Sequence, residues 1–405
     1  MKFSKTYILY ILIFVAMASF FVLILNSKKE IKISSQNPVV KNVTTTKNTI
    51  TSTTLSITKP AIQASVSESK SLSQLLFKVK TASSPKGLAF SLDSKEIWVT
   101  SLMNKKNGVV VHDYKTGEIV SKINLNNYGG VEVIFSKDGS RAYASQMETA
   151  SVFELDSKTK KILRVFKTNS SWTKILTLSF DGKKLYASNW TGNNVSEFDL
   201  ESGLLIRNIK TVKTPRSVYP TKEGNYLYIA GYDKGELQKI NLKDLTSKIL
   251  YNQGKALRHI VADENKDVLY ISDMGAKSIL KLDLKTDLIT KFATTDINPN
   301  TIALSPDKKL LFVSCRGKNF SPDDYYQPGP EWGTVLIFDT NSGKLVDVII
   351  GGNQPTALDV SPDGKLLVFS DFLDSQLEFY SIPSYKDLKN NQSSWLVDYK
   401  KEIIK

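Results

Sequence analysis

Seven positions recur along this chain at one offset, five residues ahead of a polar turn: Lys86, Val131, Lys174, Arg216, Arg258, Asn300 and Thr356. Four of the seven are cationic. If they share one height around a hole, they form a basic ring, and field lines focusing in a low-dielectric mouth suit it to an anion. Neighbouring cations about 12 Å apart repel by on the order of 1 kcal/mol at an effective dielectric near 20. Such a ring calls for a compensating partner. That partner is either a bound anion or a set of internal ion pairs supplied by Glu132, Glu148, Asp273 and Asp371. The following position gives Gly87, Glu132, Ile175, Ser217, His259, Thr301 and Ala357. His259 beside Arg258 is the sharpest catalytic candidate, a general acid or base with its pKa lowered by the neighbouring cation.

A second set falls after the next apolar run in each unit: Gln146-Met147-Glu148, Asn189-Trp190, Gly231-Tyr232-Asp233, Asp273-Met274, Cys315-Arg316 and Asp371-Phe372. Trp190, Tyr232, Met274 and Arg316 are thereby expected at the same opening, with Trp172 on its rim just ahead of Lys174. One unit carries 14 extra residues in the stretch 317–333, GKNFSPDDYYQPGPEWG. Long insertions in a short repeat are usually functional or disordered. Its Tyr325, Tyr326 and Trp332 read as an aromatic lid or docking surface over the opening, or as packing on their own unit. Glu132, Asn189, Asp273 and Asp371 are candidate oxygen ligands for a divalent cation, Ca²⁺ or Mg²⁺, although the adjacent Arg and Lys oppose one. No other cofactor is expected. Phosphate-binding and dinucleotide loops and a Ser-His-Asp order are missing from the sequence. Two histidines, His112 and His259, exclude His-rich copper and haem sites, and a single Cys315 excludes an internal disulfide or thiolate cluster.

These positions presuppose a repeat. Aligning the turn-opening residues Ser91, Ser136, Ser179, Thr221, Asp263, Ser305 and Ser361 gives spacings of 45, 43, 42, 42, 42 and 56 residues. A period near 42 with about four short strands per unit indicates a β-propeller, one blade per repeat. Gln74–Lys80 (QLLFKVK) matches the fourth strand of the sixth repeat, and the seventh repeat has three strands of its own. The N-terminal strand is therefore expected to complete the last blade and leave no open sheet edge. The fold expected is all-β, a seven-bladed propeller over residues 74–383, followed by a polar C-terminal tail, 384–405, with Trp395 and Leu396 against the rim. Asp-x-x-Thr/Ser-Gly at 113–117, 199–203 and 339–343 makes the hairpins between strands three and four, Asp capping the turn and Gly supplying positive φ.

Ile97-Trp-Val-Thr-Ser, Leu185-Tyr-Ala-Ser-Asn and Leu311-Phe-Val-Ser-Cys, each beside a Ser-Pro-Asp-Gly-like turn and an Asp-x-x-Thr-Gly hairpin, resemble the Tyr-Val-Thr-Asn (YVTN) β-propeller repeats. The resemblance covers residues 74–383. It implies a bacterial or archaeal envelope or surface protein and is specific for fold. For function it is broad, because propellers of this kind include binding proteins, lactonases and dehydrogenase subunits.

Ahead of the repeats, residues 7–25 are nineteen residues without a charge, enough for a helix to cross a bilayer. We read residues 1–28 as an uncleaved signal anchor; a cleaved signal peptide with Ala16-Met17-Ala18 at its cleavage site is the competing reading. Residues 29–73, rich in Ser and Thr, read as a flexible linker. The expected location is the cell membrane, single-pass, with the propeller on the extracytoplasmic side, periplasmic or at the cell surface. Of the net charge of +14, +7 belongs to residues 1–73, which hold nine lysines against Glu30 and Glu68. The repeat region is modestly basic, so no specific nucleic-acid partner is expected. The expected function is capture of an anionic small molecule, a glycan or an envelope protein at the top face. The alternative is a metal-dependent propeller hydrolase or lyase of the lactonase or streptogramin-lyase type.

Overall fold

Each repeat folds as four antiparallel strands because its two middle runs are apolar on both faces and its last run on one. In the third repeat Lys184–Asn189 is buried along nearly its whole length, whereas the outer strand Leu205–Lys210 is mostly open to solvent. A strand covered on both sides by neighbouring sheets needs no polar alternation, and an outermost strand does. The computed structural model describes residues 70–252, 256–321 and 324–405. The expected anchor and most of the expected linker lie outside them. No helix among the described residues is long and apolar enough to cross a membrane.

The strands form seven four-stranded sheets, and the architecture is an all-β, seven-bladed propeller. Blade one runs Pro85–Phe90, Glu96–Ser101, Val109–Asp113 and Ile119–Ile123 from the axis outwards. The next five blades repeat that order, with inner strands Val133–Phe135, Thr173–Leu178, Pro215–Pro220, Leu257–Asp263 and Pro299–Leu304. Blade seven takes Pro355–Val360, Leu366–Asp371 and Gln376–Ser381 and is completed by Gln74–Lys80. That closure is antiparallel with Leu75 opposite Tyr380 and Lys78 opposite Glu378, as the sequence leads one to expect. It is reinforced by the Phe77–Phe379 stack and by a 2.6 Å ion pair from Lys78 to the fully buried Glu378.

Apolar packing lies between blades. One cluster joins blades one and two through Trp98, Val111, Val133 and Phe153, and the last joins seven to one through Val368, Phe379, Leu88 and Ile97. Polar turns supply the period. Ser91, Ser136, Ser305 and Ser361 each donate a hydroxyl to the Asp two residues on, at 2.6–2.7 Å.

The linker as expected ends at residue 73, but its last residues are fixed. Asp347 accepts the hydroxyls of Ser71 at 2.9 Å and Ser73 at 2.7 Å, and the amide of Ser73 at 2.9 Å. The tail contains two helices, α1 (Tyr385–Lys389) and α2 (Trp395–Glu402). Trp395 donates its indole N–H to the Val348 carbonyl at 3.0 Å, and Leu396 packs against the blade-five/blade-six cluster.

Candidate functional site

The positions read as a ring occupy the start of the inner strands, where the backbone departs from regular pairing. Strand register shifts between Pro85 and Leu88, Thr173 and Leu176, Leu257 and Ile260, Pro299 and Ile302, and Pro355 and Leu358. An extra residue in one strand re-aims side chains, so consecutive residues such as Arg258 and His259 both reach the axial side.

In six of the seven blades the start of the inner strand is stapled by the hydroxyl at the end of strand two. Thr100, Ser145, Ser188, Ser272, Ser314 and Ser370 accept the amides of Gly87, Glu132, Ile175, His259, Thr301 and Ala357 at 2.7–3.1 Å. The same hydroxyls reach the next blade's ring carbonyl, as Thr100 does to Val131 at 3.0 Å, Ser272 to Asn300 at 2.8 Å and Ser314 to Thr356 at 3.0 Å. Blade four has Ala230 at this place. The Thr or Ser of the repeated motif thus sets ring height across the blade boundary.

The mouth brings five cations together. Arg216, Arg258 and Arg316 are each only 7% exposed, and Lys86 and Lys174 are half-buried. Burial holds Lys86 well below the usual ammonium range, and Arg316, Arg258, Arg216 and Lys174 add their repulsion. Burial, then Arg216 and Arg258, bring Lys174 down to about 6. Arg216 falls to about 9 and Arg316 to about 10, burial again leading and Arg258 next.

Aromatic faces carry these charges. The Lys174 ammonium is 3.6 Å from the Trp190 ring and 5.6 Å from Trp172; Arg258 lies 5.4 Å from Tyr232, and Lys86 5.2 Å from Phe372. Arg316 lies 5.0 Å from Tyr325. Trp190 and Tyr232 are 4.7 Å apart, and the Tyr232 hydroxyl is 4.0 Å from the Met274 sulfur. From the insertion, Tyr325 and Tyr326 stack at 4.2 Å and stand 6.2 and 6.3 Å from Phe372. Trp172 is 45% exposed and holds a left-handed backbone at φ 57°, rare for a bulky residue and a mark of local strain.

Among the described residues none of these five cations has a carboxylate within 4 Å. The internal pairs weighed from the sequence are not formed. Asp273 accepts the Tyr251 hydroxyl and the Ala276 amide, both at 2.9 Å, Asp371 accepts the Gly352 amide and the Gln376 side chain, and Glu148 is exposed. Arg258 Nε donates to the side-chain Oδ1 of Asn300 at 2.8 Å, and Arg316 donates to the side chain of Gln354. Two guanidinium nitrogens, Arg216 Nη1 and Arg316 Nε, are buried with no hydrogen-bond partner. A buried N–H left unpaired costs about 1–3 kcal/mol, more in a charged group.

The metal candidates do not converge. Among the described residues no three His, Cys, Asp or Glu side chains stand as a group able to hold an ion. Asn189 is spent on Thr173, Asn194 and Ser196, and Asp273 and Asp371 on the bonds above; Glu132 alone faces the channel. Trp332 also departs from the expected lid. Its amide donates to the Ile403 carbonyl at 2.7 Å and Lys405 lies 4.3 Å from its ring, so it serves the tail clasp. Cys315 is fully buried, with burial pushing its thiol well up.

Below the ring lies an axial cavity of roughly 390 Å³ lined by Lys86, Glu132, His259, Thr301, Asp359 and, paired at 3.9 Å with Glu264, Lys308, among largely apolar residues. His259 Nδ1 lies 3.0 Å from the Ile302 carbonyl, and burial plus Arg216 hold the ring down to about 4. An imidazole so depressed is neutral near pH 7. Sequence reasoning missed Asp359 and Gln354. An acid in the apolar run Pro355–Val360 was the available signal for the first; for Gln354 there was none.

No family model matches the chain. It is 30% identical over 318 residues to Antigen Lp49 of Leptospira interrogans serogroup Icterohaemorrhagiae serovar copenhageni (strain Fiocruz L1-130), across 76% of this chain and 69% of that protein. Among solved structures, Kuenenia stuttgartiensis hydrazine synthase matches with a TM-score of 0.63 at 16% identity, over 75% of this chain and 97% of that one, a likeness of fold alone. Seven blades, the ring-closing N-terminal strand and this identity together mean that the chain belongs to the Antigen Lp49 family of β-propellers.

Proposed function

We propose that this propeller is a binding protein whose top-face mouth captures an anionic ligand. The observation that carries the reading is the pair of buried guanidinium nitrogens, Arg216 Nη1 and Arg316 Nε, left without hydrogen-bond partners in a mouth where, among the described residues, three guanidinium groups have no carboxylate within 4 Å. Buried charges are tolerated when something pairs with them. A ligand that supplies oxyanion oxygens removes the cost the free protein carries and is bound with that energy. Tyr325, Tyr326 and Phe372 form the wall that excludes water from the contact. The repeat is of the YVTN type in this reading, supported by the Thr or Ser that staples the inner strand in six of the seven blades. The uncharged residues 7–25 support tethering at the cell membrane with the propeller outside the cytoplasm.

The test is titration of the purified propeller with inorganic phosphate, sulfate and an acidic glycan, followed by thermal shift and calorimetry. The native chain is expected to bind at least one of them, and an Arg216→Ala, Arg258→Ala double variant that still melts cooperatively is expected to lose it. Unchanged binding by the double variant rejects this site.

A further inference from the structure

Beneath the cation ring the channel changes sign. Glu132 stands one residue deeper than the ring and Asp359 three residues deeper than Thr356, about 3 and 10 Å down at the rise of a β-strand. Both face the same roughly 390 Å³ cavity. Glu132 accepts only the Val133 amide at 3.3 Å, and Asp359 accepts the amides of Phe90 at 2.9 Å and Val360 at 2.8 Å. Among the described residues neither has a Lys or Arg nitrogen within 4 Å. Burial pushes Glu132 up to about 7 against the pull of Arg216 and Lys86, and pushes Asp359 up to about 6.

The site therefore wants negative charge at its mouth and positive charge in its depth. A simple polyanion long enough to fill the channel would set its lower charges against the two acids. A ligand with opposite charges at its ends meets both demands. We propose that the ligand is a small zwitterion, with an oxyanion group held at Arg216 and Arg316 and an ammonium group directed down the channel towards Glu132 and Asp359. The inference rests on the anion-binding reading of the mouth. The cavity has room for on the order of ten water molecules at ~30 Å³ each, so it suits a small molecule and excludes a polymer from the depth.

The experiment is calorimetric titration of the full chain with O-phosphoethanolamine and with ethyl phosphate, which carries the same oxyanion without the amine. Phosphoethanolamine is expected to bind at least about tenfold more tightly. In Glu132→Gln, and in the Glu132→Gln, Asp359→Asn double variant, that preference is expected to vanish while ethyl phosphate binding stays or strengthens. Circular dichroism and melting verify the fold of both variants. Equal affinity of the native chain for the two ligands overturns the zwitterion and leaves the anion mouth standing, as does a preference that persists in the variants. Binding of neither at millimolar concentration overturns both.

Discussion

Removing a cation from the mouth is expected to stabilise the ligand-free protein, and Lys174→Met is the cleanest way to do it. Methionine is unbranched and one atom shorter, and it keeps an apolar stem against Trp190, which now lies 3.6 Å from the lysine nitrogen. Burial, then Arg216 and Arg258, bring the Lys174 ammonium from 10.5 to about 6. At pH 7 the folded chain has largely released this proton and the unfolded chain retains it, a penalty of about 5 kcal/mol at ~1.36 kcal/mol per pH unit. The side chain keeps some solvent contact, which roughly halves that figure. The net expectation is a gain of about 2 kcal/mol, read as a higher denaturant midpoint with an unchanged slope in anion-free buffer. The sign in pH is fixed as well. Between about 6 and 10.5 the unfolded chain binds more protons at this site, so native stability rises with pH there, and the variant lacks that rise. A variant destabilised by more than about 1 kcal/mol would refute the claim that the ring is unpaired, because an internally neutralised cation stabilises the fold it belongs to.

Ser314→Ala is expected to cost about 1–3 kcal/mol in denaturant unfolding, because it strands the part-buried Thr301 amide, served at 3.1 Å, and leaves the Thr356 carbonyl with Asn300 Nδ2 as its one remaining side-chain donor. It is also expected to weaken anion binding by loosening the bulge in blade six. For Glu132, raised from 4.5 to about 7, the folded chain binds more protons between those values, so this residue lowers stability as pH rises through that window. Glu132→Gln is expected to remove that contribution, about 1–2 kcal/mol after allowing for solvent contact, and stability measured from pH 4.5 to 7 checks it.

Blade number and ring closure were legible because local chemistry repeats them. A serine that bonds its own turn aspartate, and an aspartate that caps the strand-three hairpin, each mark five of the seven units without reference to the rest of the chain. The ring positions followed from the same register. The tail was less legible: α2 is held by Asp296 and Val348, far away in sequence, and its own composition is polar. Trp332 misled for a similar reason, since an aromatic in an insertion carries no mark of which surface it will cover. Its partners, Ile403 and Lys405, come from the far end of the chain.

The chain alone decided the sheet count, the closing strand and which seven positions share a layer, because period, alternation and turn residues act over a few neighbours. Whether the cations of that layer are neutralised was a question only the assembled ring decided. Pairing depends on where Asp273, Asp371 and Glu148 spend their oxygens, and those bonds are set by packing within and between blades. The bulges that turn two successive residues towards the axis belong to the assembly as well. Most are held by a hydroxyl that also bonds the next blade, so they exist only once the blades stand side by side.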